Sequence, residues 1–258
     1  MAETIRSELD HGIFTITMDR PRANALSLGM VKSLQAAFKA ASQEPQARLV
    51  LLRSVGEHFS AGQDVFEMVS VEATSYRQHM LETYNPLILQ VRRLEKPVLA
   101  EIQGTVAGAA LGLALACDLR IASEDARFMV GFLGIGLALD SAVSLFLPAL
   151  IGLGRATEAA FTNAPIAAQD ALAWGLVNRV VTRDHLPASA LEMAMALLKG
   201  PVHSMGLAKR DFNRAMYPHL EQVLDYEAHI QEVAHLGAEH QEGVKAFVEK
   251  RSPVWVEV

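Results

Sequence analysis

The stretch Val98-Leu-Ala-Glu-Ile102-Gln-Gly104-Thr-Val-Ala-Gly108-Ala-Ala-Leu-Gly112-Leu-Ala-Leu-Ala-Cys117-Asp-Leu119-Arg-Ile-Ala122 decides the fold class. Pro97 disfavours a helical Lys96, so a preceding helix must stop there and a strand can open at Val98. Val98–Ile102 is a short, mostly apolar run. Gly104–Cys117 is rich in small residues and predicts a buried helix. Leu119–Ala122 is a second short apolar run. Buried strands that alternate with helices are the pattern of βαβ units and a largely parallel sheet, so the expected class is α/β.

The neighbouring segments extend that pattern. Ile5–Leu9 and Ile13–Met18 flank Asp10-His11-Gly12 and read as a hairpin. Ser27 is a candidate N-cap for a helix from Leu28 to about Ser42, with Val31, Leu34, Phe38 and Ala41 on one face. Leu49–Leu52 reads as a buried strand, Val55–Asp64 as a loop and Thr74–Leu94 as one long helix. From about Asp184 the chain turns helical, over Leu186–Lys199, Ser204–Met216, Glu221–Leu236 and Gln241–Lys250. The expected layout is an α/β core over residues 1–195 and a helical segment over 196–258 that belongs to the same functional unit.

Composition narrows the function classes. Of 258 residues 51% are hydrophobic and 20% charged, which excludes a disordered chain. Phe128–Gly154 holds a single charge, Asp140, but Gly131, Gly134, Gly136, Ser141, Ser144 and Pro148 interrupt it. It reads as buried core, because a spanning helix needs about 20 continuous apolar residues. Met1–Asp10 carries Glu3, Arg6, Glu8 and Asp10 and no apolar core, so it does not read as a signal peptide. With one cysteine, Cys117, no intramolecular disulfide is possible, and a cytoplasmic location is expected. The net charge of −6 argues against nucleic acid as a partner and leaves room for a small anionic ligand on local cations.

Searches for a nucleophile elbow, a phosphate loop, a dinucleotide fingerprint and a zinc-binding His-Glu-x-x-His return nothing. His229, His235 and His240 are spaced six and five apart, which suits no single helix face, and they read as a solvated helix; no metal site is expected. Cys117 reads as core packing. Three features remain. Phe59-Ser-Ala-Gly62-Gln-Asp64 is either a turn that lets backbone N–H groups approach a ligand or an ordinary tight turn into a helix. The helix starting near Gly108 either presents free N–H donors or simply packs closely. Asp140 is either an N-cap for a helix from Ser141 to Leu150 or a buried acid–base group whose pKa rises.

In order and spacing these elements resemble the crotonase (enoyl-CoA hydratase/isomerase) superfamily, from Gly12 to about Trp255. The matching blocks are Asp19-Arg-Pro-Arg-Ala-Asn-Ala-Leu26, His58-Phe-Ser-Ala-Gly-Gln-Asp64, Gln103-Gly104 through Gly108, and Cys117-Asp-Leu-Arg-Ile-Ala122. Ala168-Gln-Asp-Ala-Leu-Ala-Trp-Gly-Leu-Val177 and Glu242-Gly-Val-Lys-Ala-Phe-Val-Glu-Lys-Arg251 complete the set. The ring-epoxide (1,2-epoxyphenylacetyl-CoA) isomerase branch of phenylacetate catabolism is most similar, through Tyr84-Asn-Pro-Leu87, Val106-Ala-Gly-Ala109, Gly136-Leu and Asp140-Ser141, and Lys250-Arg-Ser-Pro253.

The resemblance implies a spiral of ββα turns with C-terminal helices that form a homotrimer or hexamer. It also implies acyl-CoA thioester substrates, with coenzyme A as part of the substrate and no separate cofactor. The implied oxyanion hole is the backbone N–H of Gln63 and of Ala109. Implied coenzyme A contacts are Arg22, Ala25, Ala61, Val65, Phe247 and Lys250, the last two from the same or a neighbouring subunit. The two glutamates that activate water in hydratases correspond to Gly112 and Phe132, so Asp140 is the expected proton carrier and classical hydratase activity is not expected. Gly112, Met129, Phe132, Leu133 and Leu137 are the expected acyl pocket. The expected activity is an acyl-CoA isomerase; the alternatives are a hydratase or hydrolase using Asp140 and water, and a non-catalytic acyl-CoA binder.

Overall fold

The computed structural model describes residues 5–70 and 75–255. In chain order the elements are β1 (Ile5–Asp10), β2 (Ile13–Met18), α1 (Leu28–Gln43), β3 (Leu49–Ser54), α2 (Val65–Ser70), α3 (Tyr76–Glu82) and α4 (Tyr84–Arg93). Then come β4 (Val98–Ile102), β5 (Thr105–Ala107), α5 (Ala109–Ala116), β6 (Leu119–Ser123), β7 (Arg127–Met129), α6 (Val143–Ile151), α7 (Leu153–Thr162), β8 (Ile166–Ala167) and α8 (Ala168–Ala173). The chain ends with β9 (Arg179–Val181) and the helices α9 (Leu186–Leu198), α10 (Val202–Met216), α11 (Leu220–His235) and α12 (Ala238–Glu249).

A six-stranded sheet has the order β1-β2-β3-β4-β6-β9, and a three-stranded sheet the order β5-β7-β8. Only the β1–β2 hairpin is antiparallel in the first sheet; β2, β3, β4, β6 and β9 run parallel. The chain crosses from the first sheet to the second directly after β4. Gly104 makes that crossing with φ +57°, and a Cβ there would lie 2.0 Å from the Glu57 carbonyl oxygen, so glycine is required. From β5 the chain runs through α5 and back to β6, then out again to β7. Each such turn leaves one strand in each sheet followed by a helix, which is the expected ββα spiral.

Burial explains why the parallel strands read as continuous apolar runs. Val98, Leu99, Ala100 and Ile102 are all inaccessible to solvent. Each fully buried large aliphatic side chain contributes about 1.5–3 kcal/mol. Helix α5 has no polar face and is buried throughout, so its small residues let it sit inside the core. Leu51, Leu99 and Ile121 pack on Leu186, Ala190, Ala194 and Leu198 of α9 in a second cluster on the opposite side of the first sheet.

Three expectations need correction. The long helix over Thr74–Leu94 is two helices, α3 and α4, and Thr74 itself lies outside the described residues. The break is at Thr83, whose φ of −117° and ψ of −82° turn its N–H back onto His79 and Met80. The three-stranded sheet was not anticipated, because strands of two or three residues carry no readable alternation. The helix expected from Ser141 starts instead at Val143, since Ser141 and Ala142 have left-handed φ of +55° and +60°. The Phe128–Gly154 run is divided among β7, a 3-10 turn at Leu133–Ile135 and α6. Among the described residues no helix is long and apolar enough to cross a membrane.

Candidate active site

A cavity of about 470 Å³ opens where the loop after β3 meets the start of α5. The backbone of that loop is threaded between two partners. Ser60 bridges Val106 of β5, with Ser60 N–H donating to the Thr105 carbonyl at 3.1 Å and Ala107 N–H donating to Ser60 at 3.1 Å. On the other side Leu26 N–H donates to Gly62 at 2.7 Å and Asp64 N–H donates to Leu26 at 3.1 Å. Gly62 sits between them at φ +85°, where a Cβ would be 2.6 Å from the Ala107 carbonyl oxygen. Gly108, at φ +56°, turns the chain into α5. Gln63 and Ala109 both line the cavity, and among the described residues neither backbone N–H has an acceptor in the protein. Two free N–H groups in one cavity, one of them at a helix start, are the kind of donors that a developing oxyanion requires.

The mouth is held by the Asp19–Leu26 motif. Arg22, Ala23 and Asn24 all have positive φ, a costly turn kept by side-chain bonds. Asn24 Nδ2 donates to the Val55 and His58 carbonyls at 2.9 and 3.0 Å, and Arg20 donates to the Ala25 carbonyl at 2.8 Å. Arg20 also meets Asp64 at 2.6 Å. Burial pushes the Asp64 carboxyl up, but Arg20 and the Phe66 and Glu67 amides outweigh it and hold it below the ordinary carboxylate range. The Arg22 guanidinium lies over the Phe66 ring at 5.9 Å, and Phe66 meets Phe247 at 6.3 Å between centroids. Arg22, Ala25, Ala61, Val65 and Phe247 line the cavity, and Phe247 does so within its own chain. Lys250 is not on the wall; it is the exposed, left-handed C-cap of α12.

The inner end is apolar. Met129, Phe132 and Leu137 line it, whereas Leu133 packs on the core beside the wall. Gly112 is not a wall residue. A Cβ there would be 2.4 Å from Ser141 Cβ and 2.5 Å from its carbonyl oxygen, so no glutamate fits while this loop keeps its path. Asp140 lies behind the wall and is buried. It is not an N-cap: Oδ1 accepts from Ser141 Oγ at 2.7 Å and Oδ2 from Gln231 Nε2 at 2.8 Å. Burial pushes its carboxyl up to about 6, against the lowering effect of those two donors.

Several residues at this end were not singled out from the sequence. Tyr76 lines the cavity and donates to Gln63 Oε1 at 2.7 Å, bracing the oxyanion loop. Burial, and then the Asp140 charge, push its phenol well above the ordinary range. His235 stacks on Tyr76 at 5.1 Å, and His240 Nδ1 donates to the Ile135 carbonyl at 2.8 Å. The solvated-helix reading therefore holds for exposed His229 only; His240 is buried and His235 half-buried. Glu227 and Gln231 were also missed. They lie on the buried stripe of α11 with Leu220, Leu224 and Ala228, so helical periodicity would have marked them as polar residues on an apolar face. Cys117 is core, with its thiol pushed up to about 12 by burial. Among the described residues no cluster of metal-ligating side chains occurs.

Known proteins resemble this chain along nearly its whole length. The enoyl-CoA hydratase/isomerase family model matches residues 8–257. A 1,2-epoxyphenylacetyl-CoA isomerase of Escherichia coli (strain K12) is 34% identical over 258 residues, covering 98% of each chain. A 4-chlorobenzoyl coenzyme A dehalogenase-1 of Arthrobacter sp is 33% identical over 228 residues, 86% of this chain and 82% of that one. The crystal structure of an enoyl-CoA hydratase from Mycobacterium avium subsp. paratuberculosis K-10 superposes with a TM-score of 0.90 at 31% identity, over 99% of each chain. With the spiral of ββα turns and paired free amides already in place, the chain belongs to the enoyl-CoA hydratase/isomerase, or crotonase, family.

Proposed function

We propose that the protein is an acyl-CoA isomerase that moves a proton, and with it a double bond, along an enoyl or ring-epoxide phenylacetyl thioester. The observation that carries this reading is Asp140, a buried carboxyl held near 6 where Gly112 and Phe132 replace the water-activating glutamates. The thioester oxygen accepts from the Gln63 and Ala109 amides. Asp140, as carboxylate, takes a proton from the acyl chain. The electron pair of that C–H bond delocalises into a dienolate whose negative oxygen is stabilised by the two amides, each worth about 10²–10³ in rate. The same proton returns at another carbon, the double bond shifts and the carboxylate is regenerated, so no cofactor beyond the substrate's own coenzyme A is needed. The acyl chain reaches Asp140 by displacing wall side chains, in keeping with catalytic contacts that tighten only in the substrate complex.

Arg22, Phe66 and Phe247 at the mouth suit the anionic and aromatic parts of coenzyme A. The exposed apolar side chains of α10 and α11, among them Phe212, Met216 and Val233, together with Leu236 at the C-cap of α11, suit a homotrimer or hexamer interface. The relative named for 1,2-epoxyphenylacetyl-CoA supports the ring-epoxide version of the substrate.

Asp140→Asn is expected to lower double-bond migration in 3-enoyl-CoA by about 10²–10⁴, with acyl-CoA binding nearly intact. Full residual turnover would sink the reading. Hydration of crotonyl-CoA by the wild type, lost in the same variant, would instead favour the hydratase reading. Thermal stabilisation by acyl-CoA without turnover of any thioester would favour a binder.

A further inference from the structure

Asp140 sits in a loop that its own residues do not favour. Ser141 and Ala142 follow it in the left-handed region, at φ +55° and +60°, and neither is glycine. Two consecutive positions of this kind persist only where surrounding structure over-determines them. The structure that does so is α11, whose hydrogen bonds to the loop arrive from more than 80 residues away in sequence.

Glu227 Oε2 accepts from Ala142 N–H at 2.7 Å, and Oε1 accepts from Ser144 N–H at 3.2 Å and from Ser144 Oγ. The carboxylate therefore caps α6, a role the sequence had suggested for Asp140. One helical turn on, Gln231 Oε1 accepts from Ala138 N–H at 3.1 Å, while Nε2 donates to the Ala138 carbonyl at 2.7 Å and to Asp140 Oδ2 at 2.8 Å. The orientation of this amide is fixed, because the Ala138 N–H can meet only an oxygen. Glu227 grips the loop after Asp140 and Gln231 grips the loop before it. Both side chains are buried, so water cannot substitute for either.

We infer that Glu227 and Gln231 are positioning residues for the proton transfer: α11 clamps both sides of the Asp140 loop and aims the carboxylate. The inference rests on Asp140 being the acid–base group. Gln231 has a second effect that a purely structural contact lacks. Its N–H bonds to the ionised carboxylate, which favours that form against burial. The other titratable groups acting around Asp140 are Tyr76 on α3, Tyr84 on α4 and Glu227 on α11.

The test uses full-length Gln231→Leu and Glu227→Gln beside Asp140→Asn, with kcat, KM and the pH profile of kcat measured on 3-enoyl-CoA. Gln231→Leu is expected to lower kcat at least tenfold, leave KM within about twofold and move the acid limb upward by about a pH unit. Glu227→Gln, which keeps its shape but loses an acceptor at Ser144, should lower kcat with KM unchanged and speed hydrogen exchange at Ser144. If Gln231→Leu does not fold, Glu227→Gln and Ser144→Ala carry the test, Ser144→Ala with a loss of a few fold in kcat. Wild-type kcat and pH profile in the folded α11 variants, while Asp140→Asn is inactive, overturn the clamp alone. An active Asp140→Asn overturns the acid–base reading beneath it. A change confined to KM also overturns the clamp.

Discussion

The two walls of the cavity are built in different ways. The wall with the proposed oxyanion donors, the oxyanion wall, is made of main chain: Gly62 lets the segments at Leu26, Ser60 and β5 approach closely, Gly108 at φ +56° turns the chain into α5, and the Gln63 and Ala109 N–H groups are left free. Its donors do not depend on what Gln63 or Ala109 carries as a side chain. The opposite wall, here called the acid wall for the Asp140 carboxyl buried behind it, is made of side chains, and Asp140 is held by Ser141 beside it and Gln231 far along the chain. A backbone device needs glycine at the crossing points and tolerates change at the donors. A side-chain device tolerates little change at the working group and depends on a remote helix.

That contrast can be broken most sharply at Gly62. Gly62→Ala puts a Cβ at φ +85° and 2.6 Å from the Ala107 oxygen, so the loop must shift and the Gln63 amide with it. The expected result is a fall in kcat/KM of about 10²–10³, the value of one oxyanion donor, with the secondary structure unchanged by circular dichroism. Wild-type kinetics would show that the loop geometry is not what positions the donor.

The acid wall makes an intermediate prediction, about pH. Burial holds Asp140 near 6 in the folded chain and Glu227 near 7. As a base Asp140 must be ionised, so kcat should fall about tenfold per unit below pH 6 and level off above it. Stability runs the other way. A carboxyl whose folded pKa is raised contributes stability that is present below its unfolded pKa and lost as pH rises through the folded value. Wild type should therefore lose stability relative to Asp140→Asn between about pH 4 and 6. Equal pH dependence of denaturant unfolding in the two proteins would contradict the burial of a titrating Asp140.

The smallest effect should come from Ala109→Gly. The N–H remains, and the cost is the glycine penalty of about 0.5–1 kcal/mol at a helix start. Activity should stay within about threefold in a steady-state assay. A loss comparable to that of Gly62→Ala would mean that the Ala109 methyl, and not only its amide, shapes the site.

The segments of the oxyanion wall were legible in the sequence because their glycines are local, although the residues alone left a tight turn and close packing as open readings and only the family resemblance pointed to the Gln63 and Ala109 amides. The Phe59–Asp64 and Gly104–Gly112 blocks each carry their turn glycines within a few residues, and buried strands precede both. The mouth residues Arg22, Ala25, Ala61, Val65 and Phe247 likewise fell on the wall. Asp140 was visible as the single charge in an apolar run, but its surroundings were not. Lys250, Leu133 and Gly112 were placed on the lining and are not on it, because neighbourhood along the chain does not fix which way a side chain faces. Tyr76 escaped notice inside what read as one long helix, and Thr83 breaks that helix.

By itself, then, the sequence determined the α/β class, the crossing points where only glycine passes, and the isolation of a single charge between Arg127 and Arg155. These follow from backbone sterics and from the cost of burying charge, which act over a few residues. The tertiary structure alone decided what that charge can do. It brought Glu227 and Gln231 across to a left-handed turn, filled the space beside Gly112 with Ser141, and set Tyr76 in the cavity lining against Gln63. Helical periodicity marks Glu227 and Gln231 as polar residues on a buried stripe, but nothing in the chain names their partners some 90 positions away, and those hydrogen bonds hold the Asp140 loop in place.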